Sequence, residues 1–333
     1  MFIIESYPLA ILFCFITMLC WGSWGNTQKL AGKSWRYELF YWDYVVGVLL
    51  LSLIFAFTLG SMGSSGRSFL NDLSQANMNN IGSAFLGGII FNAANILLSA
   101  AIAIAGMSVA FPVGIGLALV LGVIINYLGS QKGDPLFLFL GVGLVTVAIV
   151  INAFAYRKAS SGNQKVTSKG ILISVLAGLL MSFFYRFVAA SMDLDNFVTP
   201  AAGKMTPYTA MVVFSIGIFL SNFIFNTIVM KKPISGEPTN YRTYFKGNFS
   251  IHLVGVLGGL IWGIGNSFNL IAAGKAGAAI SYGLGQGATL VAALWGVFIW
   301  KEFKNAPKGT SWMLVWMFFL FILGIVSIIY AGQ

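Results

Sequence analysis

The fold of this chain is decided by the nine residues GGIIFNAAN at positions 87–95 and by the apolar run that contains them, residues 80–104. A helix needs about 20 mostly apolar residues to cross the hydrocarbon core of a bilayer. Nine other runs of this length accompany it, and the pattern predicts an all-α membrane protein with ten transmembrane helices. The predicted helices cover residues 8–30, 38–60, 80–104, 108–128, 136–156, 169–191, 207–229, 250–273, 277–300 and 312–331.

The composition excludes a soluble protein. Hydrophobic residues make up 58% of the 333 residues and charged residues only 8%, whereas a soluble domain carries about 25% charged residues. The net charge of +10 comes from residues between the apolar runs, which favours a role in membrane topology over nucleic-acid binding. Cys14, Cys20 and a lone His252 are too few for a metal site or a disulfide framework, so neither a metal nor a cofactor is predicted. His252 is interpreted as structural.

The distribution of basic residues predicts the orientation in the membrane. The loops after predicted helices 1, 5, 7 and 9 hold fourteen Lys and Arg residues, and the loops on the other side hold four. Cytoplasmic loops are enriched in these residues. We therefore expect a central loop in the cytoplasm and both termini in the periplasm of a bacterial inner membrane.

The stretch at 87–95 is repeated later in the chain. It recurs as GGLIWGIGN at 258–266, an offset of 171, which also relates Ala105-Gly106 to Ala276-Gly277 and Gly114 to Gly285. Because five helices are an odd number, equivalent helices run in opposite directions. The repeat predicts two inverted five-helix halves, residues 1–157 and 169–333, joined by a short linker at 158–168. Many secondary transporters have this architecture, with the substrate near the midplane between the halves.

Several short motifs of the chain resemble the ureide permease family. They are Gly22-Ser23-Trp24, Asp43-Tyr44, Phe57-Thr58-Leu59-Gly60, Phe69-Leu70, Leu73, Gln75, Asn77, Gly87-Gly88, Asn95, Gly106, Ser108-Val109 and Asn126-Tyr127. The resemblance is clear over the first 155 residues and loose over the second half. It implies membership of the drug/metabolite transporter superfamily, near the bacterial glucose/ribose porters. The plant members are proton-coupled importers of allantoin, uracil and related heterocycles.

One departure from the plant proteins concerns ATP. Their long central loop carries a phosphate-binding G-x-x-x-x-G-K-[ST] motif, whereas the central loop here spans about a dozen residues and has no such motif. Gly32-Lys33-Ser34 ends like one, but Thr27 stands where its first glycine is needed. This departure argues against ATP coupling.

Ionisable side chains at membrane depth are costly and are candidates for function. Asp43, near the start of helix 2, matches an aspartate of the family, which implies a proton carrier; an interfacial aspartate above a cytoplasmic vestibule is the alternative. Arg186, placed near the middle of helix 6, is either a substrate anchor or a structural partner of Asp43 or of helix C-termini. Glu38, interpreted as interfacial, is the next candidate for proton coupling.

Uncharged polar and aromatic residues are the predicted substrate ligands. Amides supply paired donors and acceptors, and aromatic rings stack on flat or sugar-like solutes. Each of them alone is more typical of helix packing, and their convergence from several helices carries the prediction. The set comprises Trp21, Trp24, Asn26, Gln28, Asn92, Asn95, Tyr185, Trp262, Asn266, Asn269, Tyr282 and Gln286. Asn95 and Asn266 are equivalent under the offset and are expected to face one central cavity.

These features predict a secondary active importer of a small neutral polar solute (a ureide, nucleobase, nucleoside or sugar), driven by protons. Its partners are the solute, protons and the lipid bilayer, without nucleic acid; a homodimer is left open. An exporter of metabolites or drugs from the same superfamily is the alternative. An intramembrane enzyme would need a cluster of acid, histidine or serine groups that the chain does not offer. A scaffold or receptor would leave the repeat and the buried amides unexplained.

The predicted orientation has a direct test. A cysteine replacing Gly162 should be shielded from a membrane-impermeant thiol reagent in intact cells, and a cysteine replacing Gln333 should be labelled. Permeabilised cells, in which both cysteines should react, provide the control. The reverse labelling pattern in intact cells would show that the orientation is inverted.

Overall fold

The computed structural model describes residues 1–32, 35–105, 110–159, 168–233 and 236–333. These residues contain ten apolar helices long enough to span a membrane and no β-strand. The helices are α1 (Tyr7–Ala31), α2 (Tyr37–Phe57), α3 (Met78–Ile102), α4 (Pro112–Ser130), α5 (Pro135–Ala159), α6 (Ser168–Ala190), α7 (Pro207–Lys231), α8 (Phe249–Ala276), α9 (Ala278–Ile299) and α10 (Thr310–Tyr330). The all-α class and the ten spans are confirmed, with every end within four residues of its predicted position.

Local sequence explains where the helices begin. Thr206 precedes Pro207 and accepts a hydrogen bond from the backbone N–H of Thr209, which caps the start of α7. Asn248 caps α8 in the same way. Such caps satisfy backbone donors that have no partner within the first turn of a helix.

A tight hairpin joins α8 to α9. It turns at Gly277, whose φ of +86° lies in a region that glycine adopts without steric cost.

The loops between the helices define the two ends of the bundle. One end, called the basic side below, carries the loops after α1, α5, α7 and α9. The loop after α1 contacts the loop after α9 through Lys29 and Glu302, and it contacts the loop after α7 through Arg36, which donates to the Glu237 carbonyl. At the opposite side, Asp72 in a short helix (Phe69–Gln75) accepts hydrogen bonds from Arg67 Nε at 2.9 Å and from the Thr206 N–H at 2.7 Å. This network joins the loop after α2 to the loop after α6.

The helix contacts follow a regular scheme. Helix α3 packs on α6 and α7, and α8 packs on α1 and α2. Similarly, α4 packs on α6 and α9 packs on α1, while α2 meets α7, α4 meets α9 and α5 meets α10. Exchanging each helix for the one five positions away reproduces this set of contacts, as two inverted halves would require. The division into residues 1–157, 158–168 and 169–333 stays a prediction.

Two glycine contacts occur at equivalent places in this scheme. A Cβ added to Gly88 of α3 would lie 2.1 Å from the carbonyl oxygen of Phe214 in α7. A Cβ added to Gly259 of α8 would lie 2.0 Å from the carbonyl oxygen of Tyr44 in α2. The partner helices carry Gly217 and Gly47 at these crossings. Small residues let helix backbones approach closely in membranes, where helix association depends on packing.

We expect Gly88→Ala and Gly259→Ala each to lower the melting temperature of the purified protein. The added methyl groups would overlap backbone atoms, and overpacking of this kind typically costs about 1–3 kcal/mol. Gly82→Ala, in the same helix as Gly88, is the matched control because a Cβ there meets no atom within 4 Å. Thermal unfolding in detergent checks the prediction, and equal melting temperatures for all three variants would contradict it.

Candidate functional site: a cavity open to the basic side

A cavity of about 850 Å³ extends from the basic side into the middle of the bundle. Exposed side chains such as Lys29 and Glu302 lie at its mouth, and Phe91 and Trp262 lie at its inner end. Its volume suits a small organic ligand. Eight of the predicted functional residues line it, namely Trp21, Trp24, Asn26, Gln28, Glu38, Asn95, Trp262 and Gln286.

The helical hydrogen-bond pattern changes where two of these residues lie, while the backbone of both keeps helical dihedral angles. Trp24 separates two helical segments of α1, Tyr7–Ser23 and Gly25–Ala31. Gln286 follows the first helical segment of α9, Ala278–Gly285. Interrupted helices are tolerated at membrane depth where they line a cavity or are buried in protein. Their position is typical of a binding site in a membrane protein.

Aromatic rings form the inner end of the cavity. The ring centroids of Phe91 and Trp262 are 4.5 Å apart, and Trp21 stacks on Trp262 at 6.1 Å with an interplanar angle of 10°. Phe91 and Trp262 are equivalent under the offset of 171, so this contact lies where the predicted halves meet. The rings offer flat apolar surfaces to a solute.

Asn95 adds a polar group near these rings. It lies one helical turn from Phe91 and donates through Nδ2 to the hydroxyl of Tyr41 at 3.2 Å. It is largely buried and lines the cavity. Asn95 therefore places one polar side chain beside the aromatic end.

Asn266 does not share the cavity with Asn95. Its Nδ2 donates to the sulfur of Met211 at 3.1 Å, and it is absent from the lining of the cavity. Because α3 and α8 run in opposite directions, Asn95 lies on the basic side of the Phe91–Trp262 contact and Asn266 lies beyond it. A cavity that opens only to the basic side reaches the first asparagine and not the second. The expectation of one shared cavity was wrong in this respect.

The other predicted ligands are buried behind the cavity lining, where they bond to protein groups. Asn92 and Asn269 donate to backbone carbonyls, and Tyr185 and Tyr282 donate to carbonyls of neighbouring helices. The distances are 3.2 Å for Asn92 to Ile218, 2.8 Å for Asn269 to Ser281, 3.3 Å for Tyr185 to Asn269 and 3.2 Å for Tyr282 to Ala118. These four residues therefore take part in contacts between helices and do not line the cavity.

Charged groups at the mouth of the cavity are paired. Lys29 lies 2.9 Å from Glu302, which also accepts a hydrogen bond from Tyr156 at 2.9 Å. Arg36 lies 2.8 Å from Glu38, a residue that the sequence suggested for proton coupling. The opposite charges within each pair offset one another at the mouth.

Asp43 lies outside the cavity, at the basic-side ends of α2 and α8. Its Oδ1 is 2.8 Å from His252 Nδ1 and accepts a hydrogen bond from the Tyr244 hydroxyl at 2.6 Å. Tyr244 belongs to a short helix (Tyr241–Phe245) in the loop before α8. Burial, followed by the contact with Asp43, raises the pKa of Tyr244 above its ordinary value, so its hydroxyl remains a donor.

His252 and Tyr244 were missed by the sequence reasoning. The available signal was depth, because Asp43 and His252 both lie within about two turns of the basic-side end of a helix. Depth alone does not show that α2 and α8 are neighbours, so the contact between Asp43 and His252 became visible only in the folded chain.

Arg186 lies four residues from the end of α6 and not near its middle. Its guanidinium packs against Gly129, in the last turn of α4 on the opposite side, where an added Cβ would lie 2.4 Å from Nη1. Asp43 is on the basic side, so Arg186 is not its partner. The position agrees with the alternative of a structural contact at a helix C-terminus.

Comparison with known proteins places this architecture in a family. The family model described as "Ureide permease" matches residues 40–169 and 158–331. The chain belongs to the ureide permease family. This match includes the second half, where the sequence motifs were loose.

Individual relatives of this ureide permease family member match it along nearly the whole chain. Ureide permease 2 of Arabidopsis thaliana is 25% identical over 97% of this chain and 96% of its own length. A protein of Streptococcus agalactiae named for sugar uptake is 24% identical over 95% and 96%. A solved crystal structure, 15% identical, superposes with a TM-score of 0.61 over 97% of this chain and 96% of its own, which shows a shared fold alone. The Arabidopsis relative is named as a permease and the streptococcal relative as a sugar uptake protein, and both names describe transporters.

The two equivalent asparagines provide a matched pair of variants. Asn95→Ala should weaken solute binding by about ten- to a hundred-fold, since losing a buried hydrogen bond typically costs about 1–3 kcal/mol. Asn266→Ala should leave the affinity within about threefold because its side chain does not reach the cavity. The affinities are measured by thermal shift with allantoin, uracil, uridine and glucose as the panel. Equal losses in both variants would contradict this prediction, because they would mean that the ligand depends on Asn266 as much as on Asn95.

Proposed function

We propose that this permease imports a small neutral polar solute by proton symport, with alternating access between two inverted halves. The solute is a ureide, a nucleobase, a nucleoside or a sugar. The observation that carries the proposal is the cavity, which has one open side, an aromatic inner end with Asn95 beside it and paired charges at its mouth. The names of the plant and streptococcal relatives support the same range of solutes.

The position of the aromatic contact supports alternating access. Phe91 and Trp262 separate Asn95 from its equivalent Asn266, and only Asn95 faces the present cavity. If the halves exchange conformations, a cavity on the opposite side would reach Asn266 and leave Asn95 covered. The hydrogen bonds of Asp72 with Arg67 and Thr206 must then break, because they join the loops that close that side.

The basic loops support an orientation with the present cavity open to the cytoplasm of a bacterial cell. In that orientation the described state releases an imported solute, and the termini face the periplasm. The streptococcal relative supports a bacterial plasma membrane as a setting for this fold.

Asp43 with His252 is the proposed proton site. A carboxylate and an imidazole 2.8 Å apart near the basic-side end of the bundle can hold a proton between them without an isolated charge. The second carboxylate oxygen, Oδ2, is buried and accepts no close hydrogen bond among the described residues, and the indole of Trp35 is the further donor that faces this carboxylate. This atom is available to bind the transported proton.

We expect Asp43→Asn to abolish accumulation of solute driven by a pH gradient in proteoliposomes while counterflow exchange of the same solute persists. The amide cannot be deprotonated, so the coupling is lost but the cavity remains. The exposed Asp195→Asn is the matched control and should behave as wild type. Uphill uptake by Asp43→Asn would remove Asp43 from the mechanism and make Glu38 the next candidate. An absence of counterflow for every panel solute in the wild type would contradict the proposed function itself.

A further inference from the structure

A chain of buried hydrogen bonds leads from the backbone of α7 to the cavity. Asn92 donates through Nδ2 to the Ile218 carbonyl oxygen at 3.2 Å, and Tyr41 donates its hydroxyl to Asn92 Oδ1 at 3.0 Å. Asn95 in turn donates through Nδ2 to the oxygen of Tyr41 at 3.2 Å. The chain therefore connects α7, α3 and α2 and ends at a residue that lines the cavity.

The direction of this chain follows from its first member. A backbone carbonyl only accepts hydrogen bonds, so Asn92 must turn its amide nitrogen toward Ile218 and its oxygen toward Tyr41. Ser221 agrees with this direction, since it donates to the same carbonyl at 3.1 Å and accepts from Asn92 Nδ2 at 2.9 Å.

The direction continues to Asn95. The single hydroxyl hydrogen of Tyr41 is used by Asn92, so the tyrosine oxygen can only accept from Asn95. One N–H of Asn95 is thereby committed to Tyr41, which fixes the orientation of the amide, and the carbonyl oxygen is the acceptor that Asn95 presents to the cavity. Amide orientations in a structure are assignments, but here a backbone carbonyl determines the orientation.

The second half of the bundle makes the equivalent helix crossing without such a chain. Asn266 corresponds to Asn95, and its Nδ2 donates to the sulfur of Met211 where Asn95 donates to Tyr41. Gly263 stands where the first half has Asn92, under the offset of 171. Helix packing at this place therefore does not require the hydrogen-bond chain, which points to a role in the cavity.

We propose that Tyr41 and Asn92 are positioning residues that hold the Asn95 carbonyl oxygen toward the cavity, so that a transported solute must donate an N–H or O–H there. This inference rests on the proposed function and adds a requirement, namely that the solute carries a hydrogen-bond donor. A donor next to a flat or sugar-like face fits the site, because Phe91, Trp21 and Trp262 lie beside Asn95. A solute of the same shape with its donors methylated leaves the buried oxygen unpaired.

The test compares affinities for donor and methylated forms of one solute. The probes are uracil with 1,3-dimethyluracil, and D-glucose with its pentamethyl ether. We expect the wild type to bind the donor form of at least one pair ten-fold or more tightly than the methylated form. In Tyr41→Phe the Asn95 amide is free to turn, and the ratio should fall to about threefold or less.

A second variant and a control separate positioning from a general effect on stability. In Asn92→Leu, Tyr41 loses its acceptor and can donate to Asn95 instead, so the preference for the donor form should again be lost. Tyr44→Phe is the matched control because Tyr44 stacks on Tyr41 at 5.2 Å and its hydroxyl has no partner among the described residues. It should keep the wild-type ratio. Melting temperatures of all variants show whether the fold is retained.

The possible outcomes distinguish a failure of the proposed function from a failure of the inferred orientation of Asn95. If the wild type binds none of allantoin, uracil, uridine and glucose, the proposed solute class is overturned and this inference with it. If it binds donor and methylated forms equally, the function stands and the orientation of Asn95 is overturned. A wild-type ratio in either Tyr41→Phe or Asn92→Leu, whichever folds, overturns the positioning role.

Discussion

The close approach of two helix pairs, α3 on α7 and α8 on α2, is the constraint on which the rest of this structure depends. At both crossings a glycine lies against a backbone carbonyl, with an added Cβ only 2.0–2.1 Å from the oxygen. In a bilayer the lipid tails are as apolar as the side chains, so close packing replaces the hydrophobic effect as the cause of helix association. The crossings bring Phe91 and Trp262 together and so define the inner end of the cavity.

The inverted direction of equivalent helices decides which polar groups a cavity can reach. Asn95 and Asn266 have the same place in their sequence repeats, yet the antiparallel helices put them on different sides of the aromatic contact. A single open side exposes one of them. The chemistry around the two also differs, because Tyr41 and Asn92 orient Asn95 while Met211 and Gly263 stand at the equivalent positions.

The ionisable side chains lie at the mouth of the solute cavity or outside its lining. Lys29 with Glu302 and Arg36 with Glu38 form pairs at the mouth, and Asp43 is held by His252 and Tyr244 outside the lining. Unpaired charge at membrane depth is costly, so pairing keeps the ionisable groups stable in a bilayer. Under the proposed proton symport, the solute and the proton would use different groups.

The sequence by itself determined the membrane class, the ten helices and the offset of 171, because apolar length and local turn residues are properties of consecutive residues. The resemblance in its motifs also led to the family. Only the tertiary structure decided that Asn95 faces the cavity and Asn266 does not, that Asp43 meets His252 and that Arg186 lies at the other end of the bundle. These facts depend on which helices are neighbours and on how each is rotated. In a lipid-embedded chain, apolar faces point both to lipid and to protein, so hydrophobic periodicity does not reveal that rotation.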